Sequence, residues 1–81
     1  MTVNAQILSE IELLNMFDLA SMRQGLKIHH EAEGNIIAAG QRLYDKGITT
    51  QPDGGYLTDR GLEAAELAQK LTGLLNFQQP E

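Results

Sequence analysis

The sequence contains no cysteine. Neither a disulfide framework nor a thiolate-based zinc or redox site is therefore open to it, and packing alone must hold the fold. No apolar run approaches the roughly 20 residues that a membrane span requires. The N-terminus also lacks a basic stretch followed by an apolar core, so the expectation is a cytoplasmic protein, unprocessed and without a membrane partner. Cations are scarce as well: six Lys and Arg stand against eleven acids, for a net charge of -5. That balance opposes nucleic-acid binding, since Lys and Arg contacts to phosphate supply most of the affinity.

The charge is unevenly spread. Residues 1-18 hold three acids and no base, and residues 52-81 hold five acids against Arg60 and Lys70. Residues 19-51 carry Arg23, Lys27, Arg42 and Lys46 against Glu31, Glu33 and Asp45, a local excess of one positive charge before His29 and His30 are counted. At 81 residues the chain is expected to form one domain, 1-81, with a tail that frays from about residue 77. A core of that size yields only a few kcal/mol of net stability, which a second subunit would increase.

What is present is mostly helical periodicity. Ile7, Leu8, Ile11, Leu14 and Phe17 recur at three- and four-residue spacing, an amphipathic helix with Glu10 and Glu12 on its polar side and Thr2 or Asn4 as its cap. Asp18 can cap a second, shorter helix to about Gln24, with Gly25 as a left-handed stop. Residues 26-30 alternate apolar and polar side chains, as an extended stretch or a turn does. From Glu31 the helical pattern returns. Ile36, Ala39, Gly40 and Leu43 share one face, Ile37 and Tyr44 flank it, and Asn35, Gln41, Arg42, Asp45 and Lys46 look outward until Gly47 ends the helix.

Ile-Thr-Thr-Gln (48-51), Pro-Asp-Gly-Gly (52-55) and Tyr-Leu-Thr (56-58) read as two short strands joined by turn residues. Thr58 or Asp59 then caps a long C-terminal helix. Ala64, Leu67, Ala68, Leu71, Leu74 and Leu75 make one continuous stripe on it, and Glu66 and Lys70 are spaced to pair on the outside. Two readings of that stripe stand: intramolecular core, or part of a homodimer surface shared with the N-terminal helix.

The stretch from Ile37 to Leu67, with Leu-Tyr-x-x-Gly-Ile closing one helix and Tyr-Leu-Thr-x-x-Gly opening the next, resembles the second half of a winged helix. Over its whole length the chain also resembles a family of short gammaproteobacterial proteins of unassigned function, some labelled DNA-binding on fold grounds. The fold class expected is mainly α: a winged helix-turn-helix with a two-stranded wing and a long C-terminal helix.

That architecture implies a small DNA-binding, transcription-regulator-like protein with double-stranded DNA as partner. Asn35, Gln41 and Arg42 would face base edges, and Arg23, Lys27, His29, Lys46 and Arg60 would lie along phosphates. Two features oppose it. The wing tip, Pro52 to Gly55, carries an acid and no base, and Glu31 and Glu33 occupy the expected N-terminal turn of the recognition helix. The alternative is a winged-helix module that binds another protein and not DNA.

Enzymatic and metal chemistry find little footing. Ser9 and Ser21 lack a nucleophile elbow and a His-acid relay, and the paired glycines at 54-55 lack the Lys-Ser/Thr ending of a phosphate loop. Adjacent His29 and His30 point to opposite sides of an extended strand, so three convergent ligands are not in sight, and one of the two is expected partly buried. The expectation is no enzyme, no metal and no cofactor.

Overall fold

The computed structural model describes residues 3-20 and 25-77. It is mainly helical, with α1 (Ala5–Leu14), β1 (Leu26–Lys27), α2 (Gly34–Asp45), β2 (Thr49–Gln51), β3 (Gly54–Leu57) and α3 (Asp59–Leu75). The three strands form one antiparallel sheet in the order β1-β3-β2. The hairpin is where the residue pattern puts it, but the sheet has a third strand. Leu26 and Lys27 pair with Gly55 and Gly54, so the alternation at residues 26-30 resolves as an edge strand followed by a turn.

α1 and α3 start where a side chain satisfies a free amide. Asn4 caps α1, its carboxamide oxygen accepting from the Ile7 amide at 2.9 Å. Asp18 accepts from the Ala20 amide at 2.9 Å, as a cap would, while the remainder of the expected second helix, residues 21-24, lies outside the described residues. α2 starts three residues later than the periodicity suggests. Glu31 falls in a turn, and Glu33 is the cap position without making a side-chain cap bond. Residues 28-33 therefore hold a turn and no helix ahead of α2.

Gly47 ends α2 with φ of +76°, a conformation that costs a residue with a Cβ. The chain leaves directly into the hairpin, whose turn is Pro52-Asp53, with Gly54 and Gly55 already in β3. At the far end of β3, Thr58 joins three elements. Its hydroxyl accepts from the Gly61 amide at 3.0 Å, capping α3, and donates to the Gly47 carbonyl at 2.6 Å. The start of α3 is thereby tied to the end of α2.

Leu13 of α1, Ala39 and Leu43 of α2, Ile28, Ile48, and Ala65 and Ala68 of α3 make the core. α3 contributes its small side. Gly61, Ala65 and Ala68 are buried, whereas Leu67, Leu71, Leu74 and Leu75 are exposed, so the expected single stripe divides in two. Small residues let the helix backbone approach closely, and at Gly61 a Cβ would overlap the Ile48 carbonyl. Gln69 and Asn15 then join α3 to the end of α1. The Gln69 amide donates to the Phe17 carbonyl at 2.8 Å, and Asn15 donates to the Thr72 hydroxyl at 3.0 Å. Glu66 and Lys70 are exposed but are not among the ion pairs of the described residues, and Phe77 is exposed.

Two glycines on α3 should respond in opposite directions. Gly61→Ala forces an overlap with backbone and is expected to destabilise by about 2–3 kcal/mol, lowering the melting temperature by roughly 10 °C or more. Gly73→Ala meets nothing within 4 Å. It should raise stability by about 0.5–1 kcal/mol through helix propensity, as read by urea unfolding.

Candidate functional site

The surface that matters most for a nucleic-acid reading is α2, and its orientation follows from α1. Ser9, Glu10, Leu13, Leu14 and Phe17 all turn inward. Glu10 is 5% exposed, a carboxylate among apolar neighbours. Such a group needs cationic partners, because burying an uncompensated charge is costly. α2 supplies two of them. The Arg42 Nε lies 3.1 Å from one Glu10 oxygen and the Lys46 Nζ bonds the other, one helical turn apart on the same side of α2. Arg42 also donates to the Gln6 carbonyl at 3.2 Å, and Asn35 reaches the Ser9 hydroxyl at 3.4 Å.

Asn35, Arg42 and Lys46, all expected to look outward, border the α1–α2 seam: Asn35 and Lys46 are exposed as expected, while Arg42 is half-buried against Glu10. The physical reason is Glu10: once it is buried on α1, the polar edge of α2 that faces it must turn toward it. A signal for this was present in the sequence. Glu10, expected on the polar side of α1, stands three and four residues before buried Leu13 and Leu14 and so lies on the inward face of the helix, and the Arg42–Lys46 spacing matches a single acceptor.

The outer face of α2 is left to Gly34, Ala38, Gln41 and Asp45, with Ile37 and Tyr44 on its flank. It carries no cation. Gln41 donates to Asp45 at 3.0 Å along the same helix. Between this flank and the hairpin lies an open groove of about 340 Å³, walled by Ile37, Gln41, Ile28 and Pro52, with His29 and His30 at its mouth. Both histidines are exposed, which corrects the expectation that one is partly buried: β1 ends at Lys27, so neither continues the alternation of the strand.

On the groove rim Lys27 donates to Asp53 at 2.8 Å across β1 and the hairpin turn. The hydrogen bond from Lys27 holds the Asp53 carboxyl below the usual carboxylate range, and the lysine charge acts in the same direction. Arg60 lies exposed on the first turn of α3, and Arg23 lies outside the described residues. The expected nucleic-acid set is therefore distributed over three places: Asn35, Arg42 and Lys46 at the α1–α2 seam, Lys27, His29 and Gln41 around the groove, and Arg60 on α3. No three ligating side chains gather as a metal site among the described residues.

A family model described as a family of unknown function (DUF5669) matches residues 1–76. No curated protein and no solved structure is significantly similar to the chain.

The charge cluster and the rim tie make separate predictions. Glu10→Gln should cost about 1–3 kcal/mol in urea unfolding, less than a fully buried pair because Arg42 and Lys46 are partly solvated. A double-mutant cycle with Arg42→Ala should give coupling of about 1 kcal/mol. For Asp53 the folded pKa is depressed, so the contribution of the Lys27 tie is present at neutral pH and lost as pH falls through that depressed value. Carboxyl NMR titration should find the Asp53 midpoint below the usual carboxylate range, and Lys27→Ala should return it there.

Proposed function

Since the chain belongs to the DUF5669 family, whose description assigns no activity, we propose that it is a winged-helix-like protein-interaction module that does not read duplex DNA. The winged-helix assignment draws on the element order, on the β1-β3-β2 sheet and on the hairpin that leads from α2 into α3. The observation that carries the functional reading is the orientation of α2. Its outer face holds Gly34, Ala38, Gln41 and Asp45 and no cation, because Arg42 and Lys46 are turned to Glu10.

A helix that enters the major groove needs phosphate-binding cations beside its base-reading side chains, and counterion release from those contacts drives association. Here the net charge is -5, and Lys27 is neutralised by Asp53 at the hairpin. Among the described residues, the segment directly ahead of α2, residues 28-33, is a turn and not a helix. What the surface offers instead is apolar area. The exposed leucines of α3 form a patch of the kind that marks protein contact sites.

DNA binding through Arg23, Lys27, His29, Arg60 and the polar residues of α2 draws on the architecture alone. One titration separates the two readings. Fluorescence anisotropy of a labelled mixed-sequence duplex should show no association even at low ionic strength, where the phosphate contribution is largest. Binding that weakens steeply as salt is added would make DNA the ligand and reject the interaction module.

A further inference from the structure

α3 is seated on the domain as far as Ala68, the last of its three buried residues after Gly61 and Ala65. Beyond the contacts of Gln69 and Thr72 with the end of α1, the remaining turns carry Leu71, Leu74 and Leu75, followed by Phe77. Leu67 is 62% exposed, Leu71 52%, Leu74 66%, Leu75 77% and Phe77 68%. Isolated helical turns are marginal in water, and most helical stability in proteins comes from packing an apolar face. Leucines on a projecting helix end therefore call for a surface to cover them.

The spacing says what kind of surface. Leu67, Leu71 and Leu74 recur at intervals of four and three residues, the spacing of the seam by which two helices interlock side by side, while Ala64 at the start of the stripe packs on the domain's own core. The seam bears no charge, while Glu63, Glu66 and Lys70 lie off it, so nothing on the stripe opposes an identical stripe. A two-fold axis sets such a patch against itself.

We propose that the exposed leucine stripe of α3 is a self-association surface whose partner is the same stripe on a second copy of this chain. The assignment rests on the interaction-module reading and names its partner. By side-chain size and exposure, the four leucines and Phe77 offer on the order of 600 Å² per copy, so a pair that covered all of it would bury roughly 1,200 Å², against the ~1,000 Å² that a specific interface needs. Unlike a heterologous partner, a second copy requires nothing that this sequence does not itself supply.

Sedimentation velocity of the full chain, from low to high micromolar concentration, tests this. The wild type is expected to sediment as a dimer. Leu71→Glu, and separately Leu74→Glu, should raise the dissociation constant about a hundredfold or more, since each places a charge at the centre of both halves of the seam. Both residues are exposed in the single chain, so far-ultraviolet circular dichroism at matched concentration should show the domain still folded. Tyr56→Ser, on the exposed side of β3, should leave the dimer unchanged.

A wild type that is monomeric throughout, or glutamate variants as dimeric as the wild type, overturns the assignment. Monomer without duplex binding overturns only the second copy and leaves the interaction module standing. The DNA titration fails or succeeds independently of the mass.

Discussion

The arrangement of this molecule depends on one buried carboxylate. Glu10 lies on the inward face of α1, and it is compatible with burial because Arg42 and Lys46 of α2 meet its two oxygens. Replacing such a cluster by apolar side chains would be close to neutral in many proteins, so its main effect is on geometry rather than on net stability. It holds one polar edge of α2 against α1, while the apolar period of α2 supplies its inward face. With Asn35, Arg42 and Lys46 along α1, Ala39, Gly40 and Leu43 face the core, and Ile37 lines the groove beside the hairpin.

That orientation has consequences for function at the opposite surface. α2 lies between an edge strand and a hairpin, and its cations are turned to a carboxylate. The same four-residue spacing of Arg and Lys that would follow a phosphate backbone also fits a single acidic acceptor. Which of the two a chain uses is decided by where an acid is buried, not by the cations themselves. At the hairpin the same compensation recurs on a smaller scale between Lys27 and Asp53.

α3 shows a second competition, between two stripes on one helix. Gly61, Ala65 and Ala68 form a small-residue face, and Leu67, Leu71 and Leu74 form a large one beside it. Apolar content alone would put the leucines inside. The close passage of the helix over Ile48, together with the Thr58 tie to Gly47, leaves room only for the small face near its start. The leucines are then displaced to the outside, and the domain keeps an apolar surface that its own core cannot accept.

Much of the local structure is legible from residues close in the chain. Asn4 and Thr58 as caps, Gly47 as a left-handed exit and the inward face of α2 at Ala39, Gly40 and Leu43 follow from propensity, capping and period, which act within a few residues. The tertiary structure alone decided three things: that Leu26 and Lys27 add a third strand, that Arg42 and Lys46 answer Glu10, and that α3 buries its alanines rather than its leucines. Each depends on the shape or charge of a partner distant in sequence. Periodicity identifies the faces a helix has available, but only the neighbour it meets selects among them.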